Sequence, residues 1–413
     1  MRTVHIIGGG LAGLSAGVAL AQAGHKVQIY EAGPTAGGRC RSYFDRELDC
    51  RIDNGNHLIL SGNSATMAYL GAIGARGTMR DPGAAKFPFV DLTTGARWTV
   101  APGAGRIPWW VMQPSRRVPD TKMLDYLQLL ALRKAGRDAT VADLLDRPGA
   151  LYAKLLEPLA VAALNTPPSE ALARLLGAVV EETLLAGGAA CVPLFPRTDL
   201  SASLVDPAVA FLQAHGGDLQ TGCLVAAINT VGSRVTSLST TTGTIDFAPD
   251  DAVVLAAPPW IAAGLLPDLV VPDAFQAILN VHFRLPVDPG PIGFVGVIGG
   301  MAEWVFIKRD VVSVTISAAN RYVDLPAGEI AARVWPDVQT ALDINMPMPK
   351  ARVVKERRAT FAATAAQEAR RPGPSTALAN LVLAGDWTAT GLPATIEGAI
   401  RSGQTAVKMV LGT

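Results

Sequence analysis

The chain opens on a short apolar run, Val4 to Ile7, broken by glycines and followed by small and apolar residues in helical spacing, then by a second run, Lys26 to Tyr30. That order of periods predicts strand, turn, helix, strand. The stretch LDCRIDNGNHLIL (48–60) alternates enough for a strand with Asp53, Gly55 and His57 at its centre. Residues 76–205 show helical periodicity instead, as in 123–136, where Leu124, Leu127, Leu130 and Ala131 fall on one face. Strand, hairpin and buried-strand patterns return over 222–259, and GFVGVIGG, EWVFIKR and VVSVTIS continue them within 260–370. A last short strand, NLVLAG (380–385), precedes a helix expected to begin near Thr395 to Glu397.

Gly8, Gly10 and Gly13 place G-x-G-x-x-G at the first strand-to-helix turn. The first glycine makes the turn, the second lets a pyrophosphate approach the backbone, and the third lets helix and strand pack closely. Free N–H groups at the helix start then hold phosphate charge. Glu31 follows the second strand, where an acid accepts hydrogen bonds from adenosine ribose hydroxyls. A second loop, Gly37, Gly38 and Arg39, comes close behind and offers a guanidinium fork, which a nicotinamide dehydrogenase does not need. At the far end, Gly385 and Asp386 lead to a helix start at Thr395, Ile396 and Glu397, whose N–H groups suit the anionic N1/O2 edge of a reduced flavin. Asp386 is expected to meet the ribityl or pyrophosphate region.

Composition removes other classes. The 413 residues suffice for two cores, and 36 basic against 35 acidic residues leave no overall field to recruit nucleic acid. Cys40, Cys50, Cys191 and Cys223 are scattered, without metal-ligand spacing, so no metal site is expected and the thiols read as buried and free. None lies in the C-terminal flavin segment, so FAD is expected to be bound without a covalent link. The longest apolar stretch, 252–272, is interrupted by prolines and Asp268, and no signal-peptide pattern leads the chain. A cytoplasmic protein is expected, at most peripheral on the inner membrane face.

The N-terminal dinucleotide unit, Gly37-Gly38-Arg39, and the C-terminal GDW followed by IEGAIRSG resemble the flavin amine oxidase and phytoene desaturase superfamily. DNGNH (53–57), EPLAVAALNTPP (157–168), PRTDLS (196–201), NVHFRL (280–285) and ATFAAT (359–364) are similar to one branch, the squalene-associated FAD-dependent desaturases. The one departure is Asn56, where that branch has Gln. The resemblance implies an α/β fold with a Rossmann-like FAD-binding domain of the GR2 type and an interleaved, amine-oxidase-like α+β substrate domain. The expected boundaries are 1–75, 206–259 and 374–413 for FAD, and 76–205 with 260–373 for substrate. It further implies reductive dehydroxylation of hydroxysqualene to squalene, in squalene and hopanoid biosynthesis, with an unidentified electron donor for the FAD.

Candidate chemistry follows. His57 is a candidate proton donor with Asp53 as its orienting partner, and is equally readable as a histidine organising its loop. Asn165 and Asp199, from segments matching the family, are expected to face the substrate cavity. Trp109 and Trp110, set among Arg106, Arg116 and Arg117, suit either a lipid interface or a buried apolar loop. Few aromatics (6%) argue against a cage for an amine cation. The alternatives on the same fold are an oxidative isoprenoid desaturase or amine oxidase, and a flavoprotein that hands on lipids without chemistry.

Overall fold

The glycine turn after Ile7 lies at the C-terminal edge of a five-stranded parallel sheet. In this computed structural model, which describes residues 2–145 and 149–412, the sheet runs Asp218–Thr221, Lys26–Glu31, Thr3–Ile7, Ala252–Leu255, Leu381–Leu383. Numbered along the chain the order is 3-2-1-4-5, a doubly wound arrangement with the glycine loop at its centre. Val4, Ile6, Ile29 and Val254 are buried because a fully covered parallel sheet wants apolar side chains on both faces. The helices Leu11–Gln22 and Ile396–Leu411 cover one face and cross so closely that a Cβ on Gly403 would lie 2.3 Å from the Ala12 carbonyl oxygen. An antiparallel three-stranded sheet (Val225–Val231, Arg234–Thr240, Gly243–Asp246) covers the other through Val225, Val235 and Leu238.

The second large sheet has seven strands: Ala351–Phe361, Phe275–Arg284, Val311–Ile316, Trp304–Ile307, Phe294–Ile298, Phe87–Asp91 and Arg97–Val100, in that order. The helix Ala327–Leu342 packs its apolar face on it. A helical block that includes Glu157–Leu164 and Ala173–Glu182 forms a separate apolar core. Among the described residues no helix is long and apolar enough to cross a membrane.

Two expected elements differ. The strand expected over 48–60 ends at Asp53, and Gly55 and His57 lie in the irregular segment after it. Asp53 is anchored by its side chain and Asn56 by Asn280, so these interactions replace the strand ladder there. Helix 123–136 is a 3₁₀ helix, Met123–Lys134, and the face it buries carries Tyr126, Leu129 and Leu132, leaving Leu124, Leu127 and Leu130 exposed. Hydrophobic spacing placed the stripe but could not say which of two apolar rows meets the core.

Candidate active site

The first glycine loop is shaped by close approaches. Gly8 has φ +107, and a Cβ there would sit 2.8 Å from the Ala256 carbonyl oxygen. A Cβ on Gly13 would lie 2.0 Å from the Gly8 carbonyl oxygen, so the helix can lean on the strand only at a glycine. Gly10 differs, because nothing lies within 4 Å of a Cβ built on it. It precedes a helix whose first turn carries no acidic residue, and its open side forms a cradle for an anionic group. Gly37 donates to the Gly9 carbonyl (2.8 Å), and a Cβ on Gly38 would be 3.4 Å from Gly10 Cα, so the second loop closes directly over the first.

Glu31 accepts from the Gly9 and Gly33 amides (2.8 and 2.7 Å), which fixes its carboxylate beside the cradle with lone pairs to spare. Arg39 donates to Asp386 Oδ1 (2.7 Å) and to the Ala359 carbonyl (2.5 Å), tying the second loop to the last strand's exit and to the seven-stranded sheet. At the other end, the Thr395 hydroxyl accepts from the Gly398 amide (3.0 Å) and caps the last helix. The Ile396 and Glu397 amides, in the first turn, have no intrahelical acceptor.

A polar cluster lies between the two large sheets. Asp53, buried, accepts from Ser42 Oγ (2.6 Å) and the Leu200 amide (2.9 Å), and its other oxygen pairs with Lys308. The Asn280 carboxamide oxygen accepts from the Asn56 amide (3.3 Å) and from Thr315 Oγ1 (3.0 Å), and Asn56 Nδ2 reaches Thr315 Oγ1 (3.1 Å). His282 bonds Ser313 through Nδ1 (2.7 Å), while its buried Nε2 has no partner among the described residues. His57 is half-buried and makes no hydrogen bond among them. Burial, aided by the Arg39 and Lys308 cations and opposed by Asp53, pushes His57 down to about 4. His282 is likewise pushed down to about 4, by burial first and Lys308 next. Both imidazoles are neutral at physiological pH. A buried unpaired ring nitrogen, an open glycine cradle and two unsatisfied helix ends fit an elongated cofactor with anionic and heteroaromatic parts.

The sequence profile described as flavin-containing amine oxidoreductase matches residues 11–288 and 299–411. The chain belongs to that family. It is 49% identical to a hydroxysqualene dehydroxylase of Rhodopseudomonas palustris, over 99% of this chain and 98% of that one. It is 48% identical to a hydroxysqualene dehydroxylase of Sinorhizobium fredii over the same shares. Among solved structures, an oxidoreductase from Methanosarcina mazei superimposes with a TM-score of 0.72 over 98% of this chain and all of that one, at 14% identity.

Within this flavin oxidoreductase fold, several sequence-predicted site residues have other employment. Asn165 ends a helix at φ +47 and spends its amide on Thr360 Oγ1 (2.9 Å), the Gln276 carbonyl (3.3 Å) and the Ala318 amide (2.7 Å). It is buried and clamps the helical block to the seven-stranded sheet rather than facing substrate. Asp199 pairs with Arg51 (2.9 Å) and accepts from the Ala202 amide (2.9 Å), also a structural duty. Trp110 is core, edge-on to Tyr126, whereas Trp109 is exposed. The Glu397 carboxylate accepts from the Ala65 and Thr66 amides (3.0 and 2.8 Å) and from Arg401 (3.0 Å) and caps the helix Ser64–Ala72, so it is spent within the protein. Asp386 is committed to Arg39, and Asp53 contacts Lys308 rather than orienting His57. His5 stacks on Phe247, and exposed His215 bonds the Phe211 carbonyl through Nδ1 (2.8 Å). Lys308, Asn280 and His282 escaped the sequence reading. NVHFRL carries two of them inside a strand pattern, but nothing in the sequence pairs Lys308 with an acid 255 residues away.

Proposed function

We propose that this chain holds FAD without a covalent bond and uses its reduced form to convert hydroxysqualene to squalene. The full-length similarity to hydroxysqualene dehydroxylases supplies the substrate. The observation that carries the reading is that the central carboxylate, Asp53, is already neutralised by Lys308. Such a site offers no free anion to an amine cation and suits an uncharged alcohol. The strand memberships support 1–75, 206–259 and 374–413 as the FAD domain and the remainder as the substrate domain.

In this reading, Gly8, Gly10 and Gly13 cradle the pyrophosphate and Glu31 accepts from the ribose. The Gly38 and Arg39 loop closes over the same region. Gly55 with the Gly385 and Asp386 turn, and the Thr395, Ile396 and Glu397 amides, hold the ring. Reduced FAD, when bound, supplies hydride. The hydroxyl leaves as water only if a proton arrives, and the Asp53–Lys308 pair holds one at Nζ. Lys308 also lines a surface cavity of about 510 Å³ with Arg80, Arg197 and Arg309, through which it can be reprotonated. Neutral His57 serves as a hydrogen-bonding partner that positions the hydroxyl, a change from the acid role first expected. Proton plus hydride replace hydroxide, giving squalene, water and oxidised FAD, which an external electron donor must reduce again. The chain is taken as cytoplasmic, with at most a peripheral hold on the membrane.

Anaerobic mixing of photoreduced holoenzyme with hydroxysqualene tests this. One flavin should be oxidised per squalene formed, with a rate flat between about pH 6 and 8 because His57 stays neutral there. Squalene without flavin oxidation, or oxidised enzyme reduced by a primary amine, would sink the proposal.

A further inference from the structure

The 3₁₀ helix Met123–Lys134 has three residues per turn, so positions three apart eclipse one another. One row, Tyr126, Leu129 and Leu132, is buried; the next, Leu124, Leu127 and Leu130, stands 66%, 57% and 43% exposed. The neighbouring turn Trp109–Met112 is locked to it by the edge contact of Trp110 with Tyr126 (5.3 Å) and leaves Ile107, Trp109 and Met112 exposed as well. With Met123, seven large apolar side chains are exposed here, four on the helix and three on or just before the turn, more than scattered surface exposure explains.

The charge around them is one-sided. Residues 105–137 hold seven basic and two acidic residues, a net of +5 (7 minus 2), in a chain whose total is +1, so the rest carries −4 (1 minus 5). Partners from outside the segment offset each other, Glu181 on Arg133 and Lys154 on Asp120. An apolar centre with a tryptophan and a basic surround matches a lipid surface with anionic headgroups. A second copy of the same face would set +5 against +5. We propose that this face docks the protein on an anionic bilayer, inserting the leucine row and Trp109 among the acyl chains. The surface stands on its own geometry; only its use, drawing an apolar substrate from the membrane, rests on the function proposed above.

The test is flotation of the flavin-loaded full chain with vesicles, in the absence of substrate. Equal parts phosphatidylglycerol and phosphatidylcholine should bind it at least about ten-fold better than phosphatidylcholine alone at roughly 0.1 M salt, and less so as salt rises. L124S/L127S/L130S should lose at least about ten-fold on the anionic vesicles, with flavin content and the far-ultraviolet circular dichroism spectrum unchanged. K122E/K134E, which leaves the leucines in place, should lose binding to anionic vesicles only. Wild type left in the dense fraction, variants that float like wild type, or a wild-type dimer that the serine variant splits without any vesicle binding would overturn the proposal. Because no substrate is present, failure of the dehydroxylation reading leaves this result untouched.

Discussion

Gly10→Ala and Gly13→Ala separate the ligand cradle from the packing that shapes it. At Gly10, φ is −73 and nothing lies within 4 Å of the added methyl, so the apoprotein has room for it. Alanine is a poorer N-cap than glycine, but it also stiffens the unfolded chain, and the two effects of about 0.5 to 1 kcal/mol oppose each other. The apoprotein's melting temperature should therefore move by less than about 4 °C. The methyl fills the space a pyrophosphate needs, and losing two charge-assisted N–H contacts at about 1.5 to 3 kcal/mol each weakens FAD binding by at least about 10²-fold. At Gly13 the methyl meets the Gly8 carbonyl oxygen at 2.0 Å, so backbone must shift by about 1 Å. That overpacking costs about 3 kcal/mol or more and shows in the apoprotein before any cofactor is added. Calorimetric melting of both apoproteins, followed by titration with FAD, reads the two effects apart. A Gly10→Ala protein with wild-type FAD affinity would refute the cradle, and an apo Gly13→Ala protein as stable as wild type would refute the packing argument.

Lys308→Met should cost about 3 to 5 kcal/mol in denaturant melts, because it strands a buried carboxylate, and Lys308→Met with Asp53→Asn should regain most of it; additive losses would count against the pair. His282 sits at about 4 when folded against an ordinary 6.5, so the unfolded state takes up the extra proton between these values. Stability should be complete above about pH 6.5 and fall by up to about 3 kcal/mol toward pH 4. In His282→Gln that part of the acid loss should vanish, as followed by urea midpoints from pH 7 to 4.

Much of the fold was legible because its signals are local. The glycine turn, both flanking strands and Glu31 lie within 31 residues, and each spacing has its own steric reason. The cap at Thr395 was equally plain from a strand, a loop and a helix start. What could not be read is which polar residue is spent on architecture. Asn165 and Glu397 sit in stretches that match the family, yet one is held by partners more than 100 residues away and the other caps a helix some 330 residues earlier. The row of leucines at 124, 127 and 130 was unreadable for a different reason. Two apolar rows share a 3₁₀ helix, and periodicity ranks neither.

The edge strand Leu381–Leu383 begins 350 residues after Lys26–Glu31 of the same sheet ends (381 minus 31). Three of the five strands of the dinucleotide sheet arrive after residue 217, so the nascent chain cannot finish its first-begun sheet until residue 383 has been made. Glu397 makes the dependence stricter, since the helix Ser64–Ala72 waits for its cap throughout. A ribosome that stalls before residue 396 therefore leaves a protein with its first glycine loop built and neither the Thr395-capped helix start nor the cap of Ser64–Ala72 in place.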